Sequence, residues 1–271
     1  MLDGVEVKLV ELKTSGDRGV RGGDKSRWVK ELEEALLDGR ADLAVHSAKD
    51  VPGELPAGLS IVGVPERADA RDAVCGAAGI AGIAEGAVVG TSSLRRRSQL
   101  LAVRPDLVIE DMRGNVDTRL RKLHERQYDA IVLARAGLDR LGVDEGESVD
   151  ATTLTPAPGQ GCLALEARSD DPGAADFAHA ITDRRALVEL TAERAVVTAL
   201  DATCHTPVGA HARLDGKLLT VDGYAGLPDG SAWIRDRVEG YADDPSALGR
   251  ELAERMLAAG AGPLLAQAVG N

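Results

Sequence analysis

Apolar and polar residues alternate from Val5 to Leu12 ("VEVKLVEL"), the period-two pattern of a half-buried strand. From Ser26 to Gly39 the period lengthens. Val29, Leu32 and Leu36 fall at helical spacing, and Gly39 is a natural stop. Four short apolar runs come next: "DLAVHS" (42–47), "AVVG" (87–90), "LVIEDM" (107–112) and "DAIVLA" (129–134). They read as buried parallel strands. Helical patterns beginning near Leu94 and Val116 follow two of them, so this part of the chain predicts an α/β sheet covered by helices.

The last third changes character. Residues 183–200 predict one long helix, residues 212–240 an antiparallel meander punctuated by Asp-Gly turns, and residues 244–262 a closing helix. That is the pattern of a small separate α+β domain. The Pro- and Gly-containing stretches "GVPERADARDA" and "TPAPGQG" are candidate crossovers between domains, and no tandem repeat is present.

Composition narrows the functional classes. The 271 residues are 44% hydrophobic and 28% charged but only 2% aromatic, so aliphatic side chains fill the core of an ordinary globular protein. With 44 acidic against 32 basic residues, the net charge of −12 argues against non-specific nucleic-acid binding, which needs a broad positive field. No apolar run reaches membrane-spanning length and no signal peptide opens the chain, so a cytoplasmic protein without membrane contact is expected. Cys75, Cys162 and Cys204 lie too far apart for a disulfide framework, and the five histidines show no metal-ligand spacing; no metal is expected.

Against that acidic background, the side-by-side Arg95, Arg96 and Arg97 stand out. They also share an address with other cations. "LAVHS" runs into Lys49 and Asp50, "VVGTSS" into the arginine triplet, "VIEDM" into Arg113 and Arg119, and "IVLA" into Arg135 and Arg140. The carboxyl ends of strands line the ligand crevice of open α/β sheets, where helix N-termini also favour anions. Ser47, Thr91, Ser92, Ser93 and Gly114 crowd the same turns. Any single Arg is ordinarily a solvated surface residue, and Arg97, Arg104, Arg121 and Arg135 fit that description. The set together implies a ligand bearing several carboxylates or phosphates, and the absence of a Walker or dinucleotide motif speaks against nucleotides. Asp50 reads equally as a helix cap and as a carboxylate for a developing positive charge. Cys204 reads as a buried small hydrophobe or as a nucleophile and covalent anchor.

The strings "HSAKDVP", "VGTSSLRRRSQL", "RGNVDTRL", "AGLDRL", "PGQGCLALE" and "ERAVVTALDATCHTPVG" occur in order over nearly the whole chain and resemble the hydroxymethylbilane synthase (porphobilinogen deaminase) family. The resemblance implies two α/β domains of the type II periplasmic-binding-protein kind plus a smaller C-terminal α+β domain. Their expected bounds are 1–66 with 162–181, 67–161, and 182–271, the last carrying the cofactor loop. It implies stepwise head-to-tail condensation of four porphobilinogen molecules with release of ammonia, giving linear hydroxymethylbilane for haem biosynthesis. It also implies a monomer holding a dipyrromethane cofactor through a thioether to Cys204. Asp50 matches the catalytic aspartate, which hydrogen-bonds pyrrole N–H groups and stabilises the cation left after deamination. Lys49, Ser47, Thr91, Ser93, Arg95 and Arg96 match cofactor-binding positions; Lys25, Arg113, Arg119, Arg140 and Gln160 match substrate-binding ones. The family's "TR-x-S-x-L-A" segment has no counterpart before "VEVKLVEL", and the expectation is that Met1 is a misplaced or truncated start. Trp28 stands where the family commonly has Phe. Competing readings are a non-enzymatic small-polyanion-binding protein of the same fold and a cysteine hydrolase using Cys204 and His205.

Overall fold

The computed structural model describes residues 7–11, 26–203 and 205–270. The first half of the chain runs α1 (Ser26–Leu37), β1 (Ala44–Ser47), a 3-10 turn (Ala48–Asp50), β2 (Leu59–Gly63), β3 (Asp72–Cys75), β4 (Val88–Gly90), α2 (Leu94–Val103), β5 (Val108–Glu110), α3 (Val116–His124) and β6 (Ala130–Ala134). The second half runs α4 (Arg135–Arg140), β7 (Glu147–Ser148), β8 (Leu163–Arg168), α5 (Pro172–Ala180), α6 (Arg184–Ala199), β9 (Val208–Asp215), β10 (Leu218–Gly226), β11 (Trp233–Tyr241), α7 (Pro245–Ala258) and α8 (Ala261–Gly270).

Among the described residues the strands form three sheets. The first has β8 between β1 and β2 and antiparallel to both. The second has the order β5-β4-β6-β3-β7, with β4 parallel to β5 and β6, and β3 antiparallel to β6 and β7. The third is the antiparallel meander β9-β10-β11. Residues 64–71 lead from the first sheet to the second, and 155–162 lead back. The result is a mixed α/β structure with a smaller α+β unit at the C-terminal end.

Local chemistry accounts for most element boundaries. Side chains of Asn115, Asp171, Asp183 and Asp244 accept backbone N–H groups at the starts of α3, α5, α6 and α7, satisfying donors that a helix leaves open. Pro172 and Pro245 sit in the first turn, where a missing N–H costs nothing. Asp215 and Leu218 face each other across the β9–β10 hairpin, and Gly216 turns it at φ +57°. The third sheet buries Ala210, Leu219 and Val221 against Val196 of α6 and Leu252 and Met256 of α7, all fully buried. Aliphatic packing of this kind supplies the cohesion that scarce aromatics do not.

Four sequence expectations change. The strand expected over 5–12 is not formed at 7–11, where Val7, Leu9 and Val10 are exposed. An alternating pattern becomes a strand only where a neighbour takes its backbone hydrogen bonds. β1 is not a buried parallel strand: its pairing is antiparallel to β8, and Val45 is exposed while Ala44 and His46 are buried. The closing helix divides into α7 and α8 because Gly260, at φ +105°, leaves the helical region. Finally, β2, β3 and β8 are strands that the hydrophobic pattern did not single out.

Candidate active site

A cleft of about 560 Å³ opens where the 3-10 turn, the second crossover, the N-terminus of α2 and the chain after α6 converge. This is within the size range of small-molecule sites. One wall comes from the 3-10 turn. Ala48 N–H donates to the Cys162 carbonyl and its side chain is buried, which leaves Lys49 and Asp50 lining the cleft. Gly159, at φ +73°, lies so close that an added Cβ would sit 3.0 Å from the Ala48 carbonyl carbon and the Lys49 nitrogen. The turn carrying Asp50 is therefore clamped against the second crossover by backbone contact.

The opposite wall is the turn from β4 into α2. Ser92 Oγ donates to the Met112 carbonyl at 2.7 Å and accepts the Met112 N–H at 3.0 Å, tying the ends of β4 and β5 together. Ser93 caps α2, its hydroxyl accepting the Arg96 N–H. Ser92, Ser93, Leu94, Arg95 and Arg96 all line the cleft. Two arginines in the first turn of a helix oppose the positive end of its dipole. The structure offsets this with Asp72, a fully buried carboxylate at the start of β3. Arg95 Nη1 donates to Asp72 Oδ2 at 2.8 Å and to the Thr155 carbonyl at 2.6 Å. Arg96 donates to Asp72 Oδ1 from Nε at 3.0 Å and Nη2 at 2.7 Å, and from Nη1 to the Val132 carbonyl. Burial alone would raise the Asp72 carboxyl, but the two guanidiniums outweigh it and hold the group far below the usual carboxylate range. The adjacent cations are thus explained. Two of them share a buried anion, while Arg97 helps lower the Asp229 carboxyl near the β10–β11 loop.

Arg119, from α3, completes this wall, its Nε held by the Gly114 carbonyl at 2.8 Å. Burial first, and then repulsion from Arg96, depress its guanidinium pKa, with Asp50 opposing the change. Arg119 therefore sits electrically between the buried pair and Asp50. On the third side, Val197, Ala202, Thr203, His205, Thr206 and Val208 form the rim. Arg194 of α6 also lines the cleft and donates to the Pro52 and Gly53 carbonyls just after the Asp50 turn.

Of the residues expected from sequence, Lys49, Asp50, Ser93, Arg95, Arg96, Arg119 and Gln160 come together in this cleft. Gln160 is buried, with its Nε2 donating to Asp72 Oδ1 and the Ala70 carbonyl. Ser47 is half-buried at the head of the 3-10 turn, and Thr91 is buried with its hydroxyl accepting the Ser93 N–H. Arg113 and Arg140 are exposed and do not line the cleft; Arg140 donates instead to the Gly161 carbonyl. Lys25 and Cys204 lie outside the described residues, although Thr203 and His205 on either side of Cys204 do line the cleft. Sequence reasoning missed Asp72, Arg194 and the ion cluster of Arg67 with Glu189 and Glu193. The available signal for Asp72 was a lone carboxylate opening the apolar run "DAVC". Among the described residues no group of three or more His, Cys, Asp or Glu could hold a metal ion.

A cleft lined by five cationic side chains, one carboxylate and the two neighbours of a cysteine can bind a polycarboxylate and stabilise a developing cation. Comparison with known proteins is consistent with that chemistry. The family described as "Porphobilinogen deaminase, dipyromethane cofactor binding domain" matches residues 1–176, and "Porphobilinogen deaminase, C-terminal domain" matches residues 187–258. A porphobilinogen deaminase from Deinococcus radiodurans is 46% identical over 96% of this chain and 88% of its own length. One from Roseiflexus sp. RS-1 is 47% identical over 97% and 89%, and one from Thermus thermophilus 46% identical over 97% and 89%. Among solved structures, the periplasmic VFT2 domain of BvgS from Bordetella pertussis aligns over 55% of this chain and 66% of its own at 16% identity, with a TM-score of 0.32.

Proposed function

This chain belongs to the porphobilinogen deaminase family, and from that membership and the cleft's chemistry we propose how its residues carry out hydroxymethylbilane synthesis. The reaction joins four porphobilinogen molecules head to tail with release of ammonia, in tetrapyrrole biosynthesis. The observation that carries the assignment of residues is the cleft itself, where Asp50, Lys49, Arg95 and Arg119 face the loop that flanks Cys204. Porphobilinogen brings an acetate and a propionate on each ring, so a growing chain accumulates the carboxylates that such cations bind.

The family's dipyrromethane group, when bound, supplies the primer to which substrate rings are added. The residues present fit it. The cleft has room for a small molecule, its cations match carboxylate side chains, and Thr203 and His205 bring the attachment loop to its rim. Cys204 is assigned the thioether. Lys49, Arg95 and Arg119 bind and orient carboxylates, and Ser93 and Gln160 fix the walls. Asp50 places its carboxylate where positive charge develops on the substrate as ammonia leaves, and it accepts pyrrole N–H groups. Ser47, Thr91, Arg96, Arg113, Arg140 and Lys25 belong to the same proposal. Of these, Ser47, Thr91, Arg113 and Arg140 lie outside the present lining. A simple polyanion-binding protein would leave Asp50 without a role among the cations.

Division into domains at 66/67, 161/162 and 181/182 follows the three sheets, and it belongs to the proposal together with a monomeric, cytoplasmic protein. The chain carries a net charge of −12, and among the described residues no helix is long and apolar enough to cross a membrane. Intact mass of the purified protein, read beside porphobilinogen consumption, tests the function. The expected result is a covalent dipyrromethane adduct that is lost in Cys204→Ser, since a hydroxyl is a far poorer nucleophile than a thiolate. An adduct that persists in Cys204→Ser, or moves with Cys75 or Cys162, refutes the assignment.

A further inference from the structure

Asp72 is the only carboxylate that Arg95 and Arg96 contact among the described residues, and its surroundings are unusually complete. It accepts three hydrogen bonds from the two guanidiniums and a fourth, at 2.8 Å, from Gln160. Nothing of it is exposed. Its partners Arg95, Arg96 and Gln160 are themselves nearly buried, yet all three line the cleft. A carboxylate buried behind two cations adds little net stability by itself, because desolvating three charges consumes most of the Coulombic gain. Orientation is what such an arrangement supplies.

We propose that Asp72 is a positioning residue of the active site: it fixes Arg95 and Arg96 as one rigid, singly positive element of the cleft wall. The backbone extends this fixation. Thr155 offers its carbonyl to both Arg95 and Gln99, and its N–H donates to Gln99 Oε1 at 2.7 Å, so the second crossover is locked to α2. Guanidiniums held in this way meet a carboxylate already ordered. The same two side chains without Asp72 would be mobile, would repel each other, and would lose freedom on binding. The proposal rests on the reading of the cleft as the carboxylate-binding active site.

The test compares Asp72→Asn and Asp72→Glu with wild type in the full chain. Asparagine keeps the shape but replaces one acceptor with a donor facing Arg95. The expected result is a KM for porphobilinogen raised roughly 10- to 100-fold, the range seen when outer partners of a binding group are removed, with kcat changed much less. Loading of apoprotein, followed by intact mass, should fall in parallel while circular dichroism stays native. Asp72→Glu should restore part of the loss. A folded Asp72→Asn with wild-type KM and loading overturns the proposal, as does a loss of activity that only tracks the unfolded fraction. Should Asp72→Asn not fold, Gln160→Met decides, since it removes one donor from Asp72 and leaves the ion triad paired. It should raise KM roughly 2- to 10-fold, as expected for one hydrogen bond, and an unchanged KM overturns the idea. Wild type that consumes no porphobilinogen would instead overturn the functional reading. Calorimetry of apoprotein with succinate then judges Asp72 separately: weaker binding in Asp72→Asn supports positioning, and equal binding refutes it.

Discussion

His211 should make the protein acid-sensitive well above the pH at which its carboxylates protonate. It lies in β9 opposite Asp222 of β10, is 8% exposed, and its Nδ1 has no hydrogen-bond partner. Burial, followed by repulsion from Arg67 and Arg213, pushes its pKa down to about 3 against a weaker opposing pull from Asp69. The unfolded chain takes up this proton near the ordinary histidine value of about 6.5. Between those two values the unfolded state binds more protons than the folded one, so stability is full above about pH 6.5 and declines as pH falls. One pKa unit corresponds to about 1.4 kcal/mol, which puts the penalty near 2 kcal/mol at about pH 5. For a chain of this size that is a fall in Tm of roughly 4 to 8 °C. The assay is thermal unfolding at about pH 8 and about pH 5 for wild type and His211→Gln, each protein compared with itself. The variant should lose markedly less stability on acidification, by about 2 kcal/mol. Identical pH dependence in the two proteins would show that His211 is not held neutral by its surroundings.

Asp50→Asn should keep fold and cofactor loading but lower kcat about 100-fold or more, with KM moved less, because the lost interaction is made mainly as charge develops; near-normal steady-state turnover would reduce Asp50 to a helix cap. Arg119→Leu should raise KM about 10- to 100-fold through loss of a charge-assisted hydrogen bond, and Arg119→Lys should restore only part because the planar fork is gone. Equal kinetics in all three proteins would return Arg119 to the solvated surface.

Helix starts were legible because their signals are local. Asp183 and Asp244 each stand immediately before a helical run, and their caps need no knowledge of the rest of the fold. Strand direction was not legible in the same way. The run ending in Ser47 looks like those ending in Gly90 and Ala134, but its partner β8 lies more than a hundred residues away and runs antiparallel to it. The motif strings named Lys49, Asp50, Arg95, Arg96 and Arg119, which the fold gathers in one cleft, since family likeness carries tertiary information that periodicity lacks. Asp72 escaped notice for a related reason. One carboxylate at the head of an apolar run has no periodic signature, and its meaning comes from partners 23, 24 and 88 residues distant.

The same long-range logic connects the C-terminal unit to the chemistry. Arg67, on the first crossover, donates to both carboxylate oxygens of Glu193 on α6, to Glu189, and to the Gln160 carbonyl on the second crossover. Glu193 also accepts the Gly159 N–H at 2.6 Å and the Ala212 N–H at 2.7 Å. One buried residue of α6 therefore touches both crossovers and β9, and Gly159 is the residue packed against the Asp50 turn. Five residues after α6 ends, the chain reaches Cys204. The helix that delivers the cofactor loop is thus registered to the backbone that positions Asp50, through side chains that cannot shift without leaving a buried charge unpaired. Breaking such a contact costs about 3 to 5 kcal/mol, a large fraction of a domain's stability. The register of α6 against the Asp50 turn is consequently set by ion pairing and hydrogen bonding in the interior.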